Sequence, residues 1–417
     1  MFTAAFVAPG RKIALALFLA AFTTTSYALS YDEALHIADS RASQLQAKEN
    51  NVAAAKSLRA AAGELPDPKL KIGINNLPIS GTNAWGLTQE PMTMQMIGLM
   101  QEVPNSDRRE GARQLADANI TRADTELQIE RLAVKRDTAS AWLKVYFLQQ
   151  KQKLLDELDK ENLLLSVAVK ARFSAGQGKS TDTLLPRQEA ATLADRRDDL
   201  ERDLAKARAA LSRWVGTASR EPLTGAPPTF AMPEENIRHG LQHHPDLAIF
   251  NTMENGARAE VAMAQASKKP DWGVELAYQR RGQTYGDMIS LQFSMDLPIF
   301  SKTRQDPKIA ATQKELERIT AERETMLRQH TEELEALIAE STTLSRQIER
   351  MDREWLPLRG QKVELTTIGY RAGQEPLISV LDARTSLIDT RMKRIDLEAR
   401  QAEIDTKLRY LTTEKQQ

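Results

Sequence analysis

The 417-residue sequence contains no cysteine. We therefore expect no disulfide, no thiolate metal site and no lipid anchor attached through cysteine. Aromatic residues make up only 5% of the chain, and the formal net charge is zero. The scarcity of aromatic residues is unusual for the core of a globular enzyme and is typical of long helices. The lack of excess basic charge argues against a nucleic-acid partner.

Long apolar segments are also lacking. No run beyond the N-terminus approaches 18 apolar residues, so the sequence predicts no transmembrane helix. Residues 1–28 have the pattern of a cleaved signal peptide: a basic pair, the ten-residue apolar run 13–22 and a small-x-small site ending at Ala28. We expect export and a mature chain that begins at Leu29. The alternative interpretation of this segment is a short membrane anchor.

The chain contains one long pattern twice. An alanine-rich helical run ends at Pro68 and turns into an alternating apolar stretch, and a weaker copy ends at Pro270, 202 residues later. Gly176 and Gly373, each in a similar short motif, are 197 residues apart. A period near 200 residues indicates two copies of one large module rather than a solenoid of short units. The predicted division is a first repeat at 29–215, a linker at 216–232, a second repeat at 233–413 and a frayed tail at 414–417.

Each repeat is predicted to contain a helix, two strands and a long helical hairpin. Heptad spacing of apolar residues indicates that the hairpins form coiled coils. We expect Pro357 and Gly360 to interrupt the second long helix. The predicted helices cover 31–63, 107–173, 181–214, 233–267, 305–370 and 376–413, and the predicted strands cover 69–76, 92–103, 271–281 and 287–297.

The strands suggest how the chain could meet a membrane. Residues 288–297 alternate strictly between apolar and polar side chains, as in a transmembrane barrel strand or in an ordinary soluble sheet. Four strands cannot close a barrel, and an open sheet in lipid leaves backbone groups unpaired. If the strands span a membrane, the chain must therefore form oligomers. Three copies would supply twelve strands and a ring of helical hairpins.

Two motifs at the ends of the long helices resemble the TolC-type outer membrane efflux family. They are RFSAGQGKSTDTLL at 172–185 and YRAGQEPLISVLDA at 370–383. The resemblance covers about 31–413, and the absence of a lipidation cysteine and the modest length make the chain look like the heavy-metal branch. It implies a mainly α fold with a small β part, in which a trimer forms a 12-stranded transmembrane β-barrel on a long α-helical coiled-coil barrel. It also implies docking onto a periplasmic adaptor of an inner-membrane RND pump.

The resemblance implies roles for residues at the helix tips. Arg172, Ala175, Gly176, Ala372 and Gly373 are expected to form the adaptor-facing surface. Glycine suits such turns because it adopts a positive φ without steric cost. The alternative is that the two glycines only terminate helices.

The resemblance also implies a periplasmic constriction lined by acidic residues. Asp182 and Asp382 occupy matching positions, and a ring of identical carboxylates attracts cations. Two positions depart from the family pattern: Glu375 stands where a basic gate residue is expected, and Ser379 stands where a further acid is often found. We therefore expect Glu375 to add to cation attraction, although all three carboxylates could simply be solvated surface charges.

A few residues in the sequence could form metal-binding sites. Met94, Met96 and Met100 fall on one face of a predicted strand and could offer soft ligands to Cu(I) or Ag(I), but apolar packing explains them as well. The pair His243–His244 is interpreted as a surface feature. The sequence has no nucleophile–histidine–acid order, phosphate loop or zinc protease motif, so we expect neither an enzyme nor a cofactor.

The sequence therefore predicts the passive outer-membrane exit channel of a tripartite efflux system, exporting heavy-metal cations. One alternative keeps the fold and changes the cargo to organic drugs or to proteins of type I secretion. Another alternative, of a different class, is a soluble periplasmic coiled-coil structural or adaptor protein.

Overall fold

The computed structural model describes residues 28–229, 238, 240–241, 244–282 and 284–411. The predicted signal peptide before Ala28, the end of the predicted linker, His243 and the predicted frayed tail lie outside these residues. Helices dominate, and the sheet is small. The helices are α1 (Tyr31–Arg41), α2 (Ser43–Ala61), α3 (Ser106–Ser174), α4 (Leu185–Val215), α5 (Pro245–Ala266), α6 (Gln305–Arg350), α7 (Leu356–Arg371) and α8 (Leu377–Leu411). The strands are β1 (Lys69–Asn75), β2 (Met94–Val103), β3 (Trp272–Arg281) and β4 (Met288–Met295).

The first helical segment differs from the prediction. A single helix over 31–63 was expected, but the extended backbone of Ala42 separates α1 from α2. Neither glycine nor proline marks this position, so the break has no local sequence signal. Packing accounts for it, because α1 lies against both α3 and α4, whereas α2 packs mainly along α3 in the described part of the chain. Tertiary contacts override helix propensity here.

The longest helix, α3, has 69 residues and spans about 100 Å. Asn105 caps its N-terminus, since the Asn105 side-chain oxygen accepts the Arg108 amide at 2.9 Å. The cap is tied to the second repeat: the Asn105 amide and the Asn105 side-chain NH₂ both donate to Asp271 Oδ1, at 2.7 and 2.8 Å. The Arg108 guanidinium reaches Asp271 Oδ2 at 2.8 Å. One carboxylate thus joins the start of α3 to the turn that precedes β3.

The second long helix is continuous where an interruption was predicted. A π-helical turn at Met351–Trp355 connects α6 to α7, and Pro357 lies in the first turn of α7. Proline has no amide hydrogen and its ring clashes with the carbonyl of the preceding turn, so the wider π turn accommodates it without ending the helix. Gly360 is accommodated within α7.

The largest buried cluster lies near the middle of the hairpins, where α1, α3, α4 and α8 meet. Trp142 is fully buried there, makes an edge contact with Tyr31 and stacks on Tyr146. The Trp142 indole NH donates to the Leu29 carbonyl at 3.2 Å. Leu29 also forms a parallel bridge with Leu223, so the described part of the predicted linker packs against the start of the chain.

The four strands form one antiparallel sheet in the order β1-β2-β3-β4. The central pair, β2 and β3, joins the two repeats with Ile97 opposite Tyr278 and Leu99 opposite Leu276. Within the described residues, β1 and β4 are the sheet edges. No helix in the described part of the chain is both long and apolar enough to cross a membrane.

Candidate functional sites: a two-faced sheet and paired helix tips

One face of the sheet is apolar and exposed. Residues directly opposite one another in antiparallel strands share a face, so the register places an apolar row across all four strands. Large apolar side chains on this face are about half exposed or more, including Ile72 at 75%, Ile289 at 74% and Phe293 at 68%. The others are Leu70, Ile74, Ile97, Leu99, Trp272, Leu276, Tyr278, Leu291 and Met295. A patch of this extent is a binding surface for lipid or protein rather than a water-facing surface.

The opposite face of the sheet is polar. It carries Lys71, whose ammonium contacts Glu275 Oε2 at 2.5 Å, and the neighbouring positions Gln279 and Gln292. A second ion pair joins Lys69 and Glu102. Charges of both signs on one face and aliphatic side chains on the other give the sheet two distinct environments.

The three candidate methionine ligands lie on this polar face. Met94, Met96 and Met100 are half-buried, and the β1–β2 register sets Met100 opposite Lys69. The Met96 sulfur accepts a hydrogen bond from the Asn75 side chain at 3.6 Å. Their thioethers therefore lie among polar groups, and a role as soft metal ligands stays a prediction.

The two helix tips have the same backbone turn. In the first tip (172–177), Gly176 has φ +73°, and the Gln177 amide donates to the Arg172 carbonyl at 3.0 Å. In the second tip (369–374), Gly373 has φ +72°, and the Gln374 amide donates to the Gly369 carbonyl at 2.9 Å. Both are Schellman motifs, in which a left-handed residue satisfies carbonyls at the helix end. Ala175 and Ala372 are the exposed C-caps of α3 and α7.

A single arginine bridges the tips. The Arg172 guanidinium lies 4.5 Å from the centroid of the Tyr370 ring, and Arg172 Nη1 donates to the Tyr370 carbonyl at 3.1 Å. That carbonyl also accepts the Gly373 amide at 3.1 Å. A cation at the C-terminal end of a helix interacts favourably with the helix dipole. The first tip is therefore anchored on the second by a side chain whose predicted role was adaptor docking.

The three candidate constriction carboxylates lie close to the tips in sequence but differ in environment. The Asp182 side chain is half-buried and accepts the Lys179 amide at 3.4 Å, so it caps the short 3₁₀ turn Ser180–Thr183. Glu375 and Asp382 are exposed. Among the described residues none of the three carboxylates forms an ion pair. They are available to line a pore only if neighbouring copies bring them together, and that role stays a prediction.

The histidine prediction needs a correction. His244 was interpreted as a surface residue, but it is only 6% exposed and contacts His330 with ring centroids 5.4 Å apart. Burial lowers the pKa of His244, whereas the nearby Asp246 carboxylate raises the pKa of His330. The pKa of Asp246 is in turn held low by His330. His244 and His330 are 86 positions apart, so no local pattern could have indicated their contact.

Comparison with known proteins gives the class of protein. The model of the family described as "Outer membrane efflux protein" matches residues 236–413, which lie within the predicted second repeat. This part of the chain, 178 of the 417 residues, is therefore similar to the outer membrane efflux protein family. The family consists of transport channels, in agreement with the prediction that the protein is not an enzyme. No curated protein matches the sequence significantly.

Solved structures share the fold over nearly the whole chain. The outer membrane protein VceC of Vibrio cholerae superposes with a TM-score of 0.75 at 17% identity, covering 92% of this chain and 95% of that one. CusC gives a TM-score of 0.77 at 15% identity, with 92% of each chain covered. The CmeC outer membrane channel of Campylobacter jejuni gives 0.74 at 11% identity, covering 93% and 87%. The mainly α fold with a small β part is thereby confirmed.

Proposed function

We propose that three copies of this chain form an outer-membrane exit channel, in which the sheets close a 12-stranded barrel and the helical hairpins form a tunnel into the periplasm. A periplasmic adaptor and an inner-membrane RND pump would deliver the cargo, because nothing in the predicted chemistry of the chain supplies transport energy. Heavy-metal cations are the proposed cargo.

The two-faced sheet is the observation that carries this proposal. Its exposed apolar face, centred on residues such as Leu291 and Phe293, suits lipid, and its polar face suits a water-filled lumen. Lipid tolerates strands only in a closed barrel, because unpaired backbone groups are costly there. The edges at β1 and β4 therefore need partners, and further copies of the same sheet supply them.

The helices support assembly through a second exposed surface. On α3, the side chains of Leu163, Leu164 and Val167 are more than 60% exposed. On α7, Leu358 and Leu365 are seven residues apart and 59% and 68% exposed. Apolar side chains at heptad spacing favour helix–helix packing in a coiled coil. Neighbouring copies would cover these stripes, and the same contacts would bring the tips of all copies to one end.

The proposed heavy-metal cargo rests on acidic residues near the second tip. The exposed carboxylates of Glu375 and Asp382 near the second tip would favour cations over anions at the tunnel entrance. Export of organic drugs is the second candidate, because a wide aqueous channel by itself does not choose its cargo.

A deletion strain tests both the channel and its cargo. We would measure growth inhibition by Cu, Ag, Zn, Co, Cd and Ni salts and by several hydrophobic drugs, with and without a plasmid copy. Sensitivity to metals alone, restored by the plasmid, supports the proposed cargo. Sensitivity to drugs alone keeps the channel and replaces the cargo. The location of the plasmid-encoded protein is a second readout. Its recovery as a soluble periplasmic monomer would contradict the channel and favour a coiled-coil adaptor.

A further inference from the structure

Three metal-ligating side chains meet where α5, α6 and α8 come together. His244 precedes α5, Asp246 lies in its first turn, and His330 lies on α6. One ligand atom from each lies within 4.8 Å of the others. Asp246 Oδ2 is 3.5 Å from His244 Nδ1 and 3.5 Å from His330 Nε2.

The other nitrogen of each imidazole faces an acceptor. His244 Nε2 lies 3.1 Å from the Tyr410 carbonyl on α8, which fixes a proton on that nitrogen and leaves Nδ1 with its lone pair. His330 Nδ1 faces Glu333 Oε2 at 3.7 Å. Histidines that bind metals usually donate their second N–H to a carbonyl or a carboxylate, so that ring tautomer and orientation are set.

The remaining nitrogens of the two imidazoles, His244 Nδ1 and His330 Nε2, both lie beside the Asp246 carboxylate. His330 Nε2 is buried and makes no hydrogen bond among the described residues. Within the described ranges, His244 Nδ1 accepts the Asp246 amide, at 3.2 Å. For metal bonds of about 2.1 Å in a tetrahedral site, adjacent ligand atoms are about 3.4 Å apart. Both nitrogen–carboxylate distances, at 3.5 Å, are close to this value, and the three ligand atoms lie within 4.8 Å of one another.

We propose that His244, Asp246 and His330 bind one borderline divalent cation, of which Zn²⁺ is representative. Two imidazoles and a carboxylate suit zinc, cobalt, nickel and copper(II), whereas they lack the thioether or thiolate that selects Cu(I). Binding at His244 Nδ1 replaces the capping bond from the Asp246 amide. The cation would link α5 to α6 directly and to α8 through Tyr410, at the base of the second repeat. This proposal is independent of the exported cargo.

Without a cation, the same residues make an ion pair. A protonated His330 would lie between Asp246 and Glu333, and the cluster would then be only a structural contact between helices. The two interpretations differ in one measurable property, because only a metal site makes stability depend on zinc concentration.

The test uses the full mature chain, purified in detergent without a polyhistidine tag and stripped of metal with a chelator. Zinc is added as ZnCl₂, binding is measured by calorimetry, and bound metal is counted by mass spectrometry. We expect one Zn²⁺ per chain and an increase in Tm. Asp246→Asn and His330→Gln should each lower zinc affinity by well over tenfold, and Glu333→Gln by about 10- to 100-fold.

His36→Gln is the matched control, because His36 is an exposed histidine on α1. It should bind zinc as the unmodified protein does. If His330→Gln fails to fold, Asp246→Asn and Glu333→Gln decide the question, since both keep side-chain shape. Equal zinc binding by all variants, or none by the unmodified protein, would overturn the proposal. A loss of Tm in Asp246→Asn that zinc does not influence in either protein would assign the cluster to an ion pair.

Discussion

Arg172 at the end of α3 contacts Tyr370 at the end of α7. Its guanidinium stacks 4.5 Å from the Tyr370 ring centroid and donates to the Tyr370 carbonyl at 3.1 Å, across 198 residues of sequence. The same carbonyl belongs to the turn formed by Gly373. The two tips are therefore one connected structure rather than two independent helix ends.

Removing this contact should loosen both tips. Arg172→Ala eliminates a cation–π contact and a charged hydrogen bond, a loss of about 1–2 kcal/mol in local stability. We expect faster cleavage by proteinase K within 172–180 and 369–376. Arg187→Ala, at an exposed arginine near the start of α4, is the control and should leave the cleavage rate unchanged. Equal rates in all three proteins would mean that the bridge does not hold the tips together.

The tip glycines should tolerate no β-branched residue. Gly176→Val and Gly373→Val place a side chain at φ near +73° and +72°, which costs about 1–2 kcal/mol although the surroundings are open. We expect impaired efflux with the trimer intact, measured as resistance to the compounds identified with the deletion strain. Gly360→Val is the control, because Gly360 is helical with open space around it. Undiminished resistance in both tip variants would argue against the proposed docking role.

The two faces of the sheet should respond oppositely to charge. Leu291→Arg puts a cation on the apolar face, where lipid contact would make it unfavourable by about 2–4 kcal/mol near the bilayer centre. Gln292→Arg puts the same charge on the polar face, one residue away. Quantifying protein in the outer-membrane fraction should show a large loss for the first variant and little for the second. Similar amounts of both would contradict a membrane role for this face.

Removing the Asn105 cap of α3 should lower the stability of the protein. Asn105→Ala deletes the N-cap of α3 and the hydrogen bonds from the side-chain NH₂. These go to Asp271 Oδ1 at 2.8 Å, to the Ala266 carbonyl at 3.1 Å and to the Lys269 carbonyl at 3.5 Å. We expect a loss of about 2–3 kcal/mol, measured as a lower Tm of the purified protein. Asn105→Asp is the informative second variant: it retains the cap but sets a carboxylate against Asp271, so it should also be destabilised. A normal Tm for Asn105→Ala would show that the contact is dispensable.

Asp382, which follows the second tip in the second turn of α8, should influence ion selectivity. Asp382→Asn removes three negative charges from a proposed trimeric constriction and should lower the preference for cations in single-channel recordings across a salt gradient. Glu201→Gln, at an exposed carboxylate about 24 Å along α4, is the control and should change selectivity less. An unchanged reversal potential in Asp382→Asn would remove this residue from the constriction.

Local patterns were informative wherever the local chain determines the structure. Alternation in 288–297 predicted a two-faced strand, because side-chain direction in a strand has a period of two. The Ala-Gly-Gln motifs after Arg172 and Tyr370 predicted sharp turns, since glycine alone adopts the left-handed backbone at low cost. These features need no knowledge of distant residues.

Features set by distant contacts were not predictable. The break at Ala42 follows from packing of α1 on two helices and has no breaker residue. Helix α6 continues into α7 through a π turn before Pro357, where an interruption was expected. A π turn holds one more residue than an α turn, so a long helix can include it without ending. His244 contacts His330 because α5 packs against α6. The spacing of His244 and Asp246 was a weak signal, and a third ligand could not be found along the chain.

The most direct test of the account is the mass of the assembly extracted from the outer-membrane fraction, measured by native mass spectrometry in detergent. The account predicts three copies of the chain, because the edges of one four-stranded sheet need the sheets of other copies. A monomer recovered from the soluble periplasmic fraction would contradict it, since a single copy leaves both the sheet edges and the apolar face uncovered.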